Sequence, residues 1–166
     1  AEGARVFVVG RDGHALTALQ QDLAKTGAEL GIVCADVSTP AGAEAAFAAA
    51  NQFLGRIDIL FNHAGIILVK PFLECTLAEW DELMDNNAKW TVELATWAVE
   101  RESRFIYASS AATYGDGAQG FDDTADPYSL RPLNMYGYSK HLSDVRLHEA
   151  GLLEHVAGIK FFNVYG

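Results

Sequence analysis

The run Val6-Phe7-Val8-Val9 decides the fold. Four consecutive apolar residues without alternation fit a parallel strand covered on both faces, because a strand with one wet face would alternate. Working outward, the period changes. Leu16, Leu19 and Leu23 recur at helical steps, and Ile32 to Ala35 makes a second short strand. Ser38-Thr39-Pro40 supplies a cap followed by proline at the first helical position, and Ala43, Ala46, Phe47, Ala50 and Leu54 form that helix's apolar stripe. Ile57 to Asn62 reads as a third strand. Thr76-Leu77-Ala78-Glu79 has the form of a capping box, and Trp80, Leu83, Asn87, Thr91, Leu94 and Ala98 behind it predict one long helix buried on one side. Arg104 to Ser109 is a fourth strand, Tyr136 to about Ala150 a fourth helix and Ile159 to Val164 a fifth strand. Strands alternating with helices imply right-handed crossovers and a doubly wound parallel α/β sheet. Ligands of such sheets sit beyond the carboxyl ends of the strands, where Arg11, Asp36, Asn62, Ser109, Ser110 and Asn163 fall.

Half of the 166 residues are apolar and a fifth are charged, which is material for one core and hence one domain. The net charge of −10 argues against a nucleic-acid or anionic-membrane surface. Cys34 and Cys75 have no CxxC or Cys/His metal spacing, so two reduced cysteines in a cytoplasmic protein are expected. No apolar run reaches membrane-spanning length. His141, His148 and His155 repeat at sevens, which is not a helical metal spacing, and are expected on the surface. Ala1-Glu2-Gly3-Ala4 reads as the end of a helix running into a strand, so the domain is expected to be incomplete at both ends.

The chemistry concentrates in Tyr136-Gly137-Tyr138-Ser139-Lys140. On a helix the four-residue spacing puts Tyr136 and Lys140 on one face. A phenol is a poor base near neutrality, but an adjacent ammonium favours its ionised form, and a strand-end serine can hydrogen-bond a substrate oxygen. Asn87 is an amide on an otherwise apolar stripe and needs partners there. The residues between Ser110 and Met135 read as a long surface loop. Gly115-Asp116-Gly117-Ala118-Gln119-Gly120 matches G-x-G-x-x-G but runs into Phe121-Asp122-Asp123 with no helical pattern, so it is a flexible loop and not a dinucleotide fingerprint.

On these residues the chain resembles the short-chain dehydrogenase/reductase superfamily along nearly its whole length. Up to about Met84, with Cys34-Ala35-Asp36-Val37 and Gly55 to Gly65, it looks like the compact single-domain branch. From about Asp85, with Tyr107 to Gly115, Arg131 to Lys140 and Phe161 to Gly166, it is similar to the extended branch and within it to the ADP-glyceromanno-heptose 6-epimerases. The resemblance implies a Rossmann-like fold in which the first strand, glycine-rich loop and first helix would precede Ala1. It implies Tyr136 and Lys140 as catalytic and cofactor-binding residues, Ser110 and Asn87 as catalytic, and Arg11, Asp36, Val37, Asn62, Ala64 and Gly65 as cofactor-binding. Ser109, Ser110 and Asn163 would meet the substrate. Arg11, with Gly10 where an acid would favour NAD, points to NADP as cofactor ahead of NAD. His63 departs from the family's Asn-Asn-Ala-Gly pattern at Asn62-His63-Ala64-Gly65. Competing readings stay open: a solvated turn arginine for Arg11, a capping aspartate for Asp36, a buried structural amide for Asn87 and a structural hydroxyl for Ser109. The implied activity is epimerisation of a small-molecule nucleotide sugar by transient hydride transfer, in a homodimer formed through the helix from Leu77 and the helix carrying Lys140. A simple alcohol dehydrogenase or ketone reductase and a non-catalytic domain are the alternatives. A sheet without its middle strand is expected to expose edges and to leave the chain marginally stable or self-associating.

Overall fold

The apolar run forms strand β1 (Val6–Gly10), which pairs in parallel with β2 (Leu30–Cys34) in a register running from Val6 opposite Leu30 to Gly10 opposite Cys34. The structure is a computed structural model describing residues 3–68 and 70–162, and it divides into two compact units, Ala1–Ile57 and Asp58–Gly166. In the first unit Asp12 caps helix α1 (Gly13–Ala24) by accepting from the amides of His14 and Ala15. Thr39 caps α2 (Pro40–Leu54) by accepting from the Gly42 amide at 3.1 Å, with Pro40 at the expected first position. A Cβ on Gly31 would lie 2.5 Å from the Phe7 ring and 2.8 Å from that of Phe53, so glycine lets both rings close over β2. Burial on both faces of β1 is not found: Val6 is 46% and Val9 37% exposed. Among the described residues β1 has a hydrogen-bonded neighbour on one edge only.

The second unit contains β3 (Ile59–Asn62), α3 (Leu77–Met84), α4 (Trp90–Glu100), β4 (Arg104–Ser110), α5 (Met135–Glu149) and β5 (Val156–Phe161). Its sheet has the order β3-β4-β5, all parallel, with Asn62 opposite Tyr107 and Ser110 opposite Phe161. Ala95, Ala98, Phe105, Tyr107 and Leu147 form the core between the helices and β4, and Leu83, Met84 and Met135 form a second cluster. The capping box at Thr76 and Glu79 is present.

Four expectations are corrected here. The long helix is interrupted by a π-turn over Asp85–Lys89, marked by the Trp90 amide donating to the Asp85 carbonyl five residues back. Leu83, Asn87, Thr91 and Ala95, all buried, follow at steps of four, a spacing that drifts around a regular helix. The wider π-turn absorbs part of that drift. The segment after Ser110 is not a bare loop: short 3₁₀ turns at Ala111–Tyr114 and Pro127–Ser129 bury Thr113, Tyr114 and Leu130. His141 is buried, at 9% exposed, because it lies on the inward face of α5 with Gly137 and Asp144, whereas His148 and His155 are exposed. Strand β5 also begins three residues earlier than expected, at Val156. Gly115, Gly117 and Gly120 all have positive φ and no helix opens after them; Gly115 closes the Ala111–Tyr114 turn by donating its amide to the Ala112 carbonyl. No helix among the described residues is long and apolar enough to cross a membrane.

Candidate active site

Asn134 starts α5 by accepting from the Gly137 amide at 2.7 Å. A Cβ on Gly137 would lie 2.8 Å from the Ala112 carbonyl oxygen and 3.2 Å from Pro132, so this glycine lets the helix approach the turn after β4. Tyr136 and Lys140 then follow one helical turn apart, as their spacing predicts. Lys140 is only 5% exposed, and among the described residues its ammonium donates to no acceptor. Burial pushes its pKa down, and the Asp144 carboxylate opposes that. A Cβ on Gly65 would stand 3.0 Å from the Lys140 Nζ and 2.9 Å from the Asn87 Oδ1, so glycine lets the ammonium and the amide lie close against this backbone.

Asn87 sits in the π-turn and is fully buried. Its Oδ1 accepts from the Ile66 amide at 3.0 Å, while its Nδ2 donates to the Ile66 carbonyl at 2.8 Å and the Ser139 Oγ at 2.9 Å. Its own carbonyl accepts from Ser143 and Thr91. One amide therefore clamps the segment after β3 to the helix carrying Tyr136 and Lys140. Asn62 donates to the Thr91 hydroxyl at 3.3 Å, and Ala64 and Gly65 are exposed beyond it.

The two serines point in opposite directions, as neighbours on a strand must. Ser110 accepts from the Ala112 amide at 3.1 Å, which caps the following turn, and its hydroxyl donates to no acceptor among the described residues. Ser109, expected at the substrate, instead donates to Asp144 and is 2% exposed. Asp144 also accepts from the Tyr107 hydroxyl at 2.8 Å and the Lys160 ammonium at 2.5 Å. Burial, with the Asp144 charge, drives the Tyr107 phenol far above its ordinary range. Sequence reasoning missed Asp144, Lys160 and Tyr107. The available signal was the place of Asp144 one turn after Lys140 on the same helical face.

In the first unit Arg11 follows β1, and its field reaches Asp36 after β2. Hydrogen bonds from the Ser38 hydroxyl and amide hold Asp36 below the usual carboxylate range, so this aspartate closes a turn while Thr39 caps the helix. Val37 is exposed. Asn163 lies outside the described residues.

Comparison with known proteins bears on the family and the fold. An ADP-L-glycero-D-manno-heptose-6-epimerase from Nitratidesulfovibrio vulgaris (strain DP4) is 54% identical over 87 residues, which is 52% of this chain and 27% of that protein. The chain thus spans about a quarter of the length of that curated relative. A 7 alpha-hydroxysteroid dehydrogenase complexed with NADH and 7-oxo glycochenodeoxycholic acid superposes with a TM-score of 0.72 over 95% of this chain and 60% of its own, at 21% identity. A metagenomic short-chain oxidoreductase in complex with NADP gives 0.72 over 98% and 72%, at 24% identity. These two share the Rossmann-like fold. The family profile for short chain dehydrogenase matches residues 1–112, and the chain belongs to that family.

Proposed function

We propose that the chain is the NAD(P)-binding part of an enzyme that epimerises a nucleotide sugar, like the heptose epimerase it resembles. The observation that carries this reading is a buried Lys140 ammonium one turn from Tyr136 that has no acceptor among the described residues and packs close against the Gly65 backbone. A buried cation with no acceptor among the described residues fits the ribose hydroxyls at the nicotinamide end of the cofactor. The oxidised nicotinamide would accept hydride from the substrate carbon and return it to that carbon, leaving the cofactor unchanged. Tyr136 holds and moves the proton of the substrate hydroxyl, with the Lys140 ammonium one turn along the same helix face. The Ser110 hydroxyl, free to donate, orients the substrate oxygen and is preferred to Ser109, whose hydroxyl is held by Asp144. Asn87 supports the relay by fixing the segment that holds Asn62, Ala64 and Gly65. In the first unit Arg11 favours NADP, with Asp36 and Val37 at the adenine. Asn163 is assigned to the substrate by resemblance alone, and the homodimer and a cytoplasmic location belong to the same reading.

A plain dehydrogenase or ketone reductase is the second reading, supported by the family profile over residues 1–112. The test uses the protein in a form that turns over. Tyr136→Phe keeps the ring and removes the proton-transfer group, so kcat should fall by about 10²- to 10⁴-fold with NADP(H) binding nearly unchanged. Full activity in that variant overturns the reading. Net consumption of NADPH with a ketone would select the second one.

A further inference from the structure

Asp144 stands four residues after Lys140, one turn along the same face of α5. Its side chain is 7% exposed and accepts from three side chains: Tyr107 at 2.8 Å, Ser109 at 3.2 Å to each oxygen, and Lys160 at 2.5 Å. Lys160 also donates to the Thr113 hydroxyl at 2.8 Å, and Thr113 donates to the Ser110 carbonyl at 2.8 Å. One carboxylate thus links the helix of Tyr136 and Lys140 to β4, to β5 and, through two further bonds, to the backbone of Ser110. Stability alone does not account for it, since well-packed apolar residues often serve as well as a buried ion pair. What such a pair does impose is a fixed geometry.

We propose that Asp144 is the positioning residue of this site: with Lys160, Tyr107 and Ser109 it sets the α5 turn of Tyr136 and Lys140 against the β4 end of Ser110, and it is the counter-charge of the Lys140 ammonium. The charges around Lys140 are few. Asp144 acts on it from its own helix, where Tyr136 lies one turn before it and His141 follows it directly. The π-turn presents the uncharged Asn87 and the segment after β3 the uncharged Gly65. Lys160 arrives from β5 and is held on Asp144. At His141, the next residue along, burial lowers the pKa, Asp144 opposes that, and Lys160 and Arg131 add to the lowering. Burial and Asp144 pull the Lys140 charge in opposite directions, which supports the assignment.

The test is a ¹³Cε NMR titration of the lysines in the full chain without cofactor, with Lys140→Met identifying the signal and circular dichroism reporting the fold. In Asp144→Asn the Lys140 midpoint should move to lower pH, and in Asp144→Glu it should return. In Lys160→Met it should move to higher pH, because the carboxylate then acts on Lys140 unopposed. If one variant fails to fold, the other decides. An unchanged midpoint, shifts of the same sign in Asp144→Asn and Lys160→Met, or loss of fold in both would assign the pair to stability and overturn the proposal. The inference rests on the Tyr136/Lys140 reading, but the titration needs no turnover. Opposite shifts alongside an active Tyr136→Phe would remove the proposed reaction and keep the charge coupling. No shift alongside an inactive Tyr136→Phe would do the reverse.

Discussion

The two units are built from the same alternation of strand and helix, yet they hold their strands differently. In the first, β1 and β2 lean on small and half-exposed residues, and its buried apolar side chains are Leu16, Leu30, Ala46, Ala50 and Ile57. In the second, β4 has a strand on each side and runs through the core, with Phe105, Tyr107, Ala108, Ser109 and Ser110 all buried. The difference lies in neighbours, not in composition. Val6-Phe7-Val8-Val9 is more uniformly apolar than Arg104 to Ser110, but only the latter has partners on both edges. A strand enclosed in this way can carry polar groups, because the elements around it supply their hydrogen bonds. The candidate chemistry accordingly stands on the better-enclosed unit, at Ser110, Tyr136 and Lys140.

The largest effect that would test this contrast is in the core of β4. Phe105→Ala removes a ring that is almost completely buried, so it should cost about 3–5 kcal/mol in denaturant unfolding. A cost below about 1 kcal/mol would mean that β4 is not the centre of the second unit.

A smaller, local effect comes from pH. Lys70 bonds both oxygens of Glu79 at 2.9 Å, and Thr76 adds its amide and hydroxyl; together they hold this half-buried carboxyl at about 2. A carboxyl depressed by folding contributes stability that is complete above its unfolded value and is lost as pH falls through its folded one. The N-terminal turn of α3 should therefore loosen between about pH 4.5 and 2, read by amide exchange. Lys70→Met, which removes the largest cause, should raise the Glu79 midpoint in a carboxyl NMR titration; an unmoved midpoint would leave the cap as the whole cause.

The smallest effect is expected on β1. Val9→Thr changes a side chain that is already more than a third exposed and keeps the β-branch, so its cost should stay within about 0.5 kcal/mol. A loss near that of a core valine would mean that Val9 is covered in solution, and the contrast between the units would narrow.

Much of this was legible in the residues because it is local. Thr39-Pro40, Thr76 with Glu79, and Tyr136 with Lys140 act within one helical turn, so spacing and side-chain chemistry were enough to read them. The placement of Asn87 on a buried stripe was legible too, but not the π-turn that carries it, since the same four-residue steps also suit a regular helix over a short span. His141 was read as a surface residue because a period of seven reports a helical face without saying what covers it. The Asp144–Lys160 pair joins residues 16 positions apart, on a helix and a strand, and nothing local marks it.

The sequence by itself determined the order of strands and helices, the capped helix starts and the Tyr136/Lys140 turn, because each depends on backbone preferences and contacts a few residues apart. Only the tertiary structure decided which apolar strand is enclosed, which of the two serines is held by Asp144, and what surrounds the Lys140 ammonium. Those outcomes depend on which elements pack together, and burial and electrostatic surroundings exist only once they have done so.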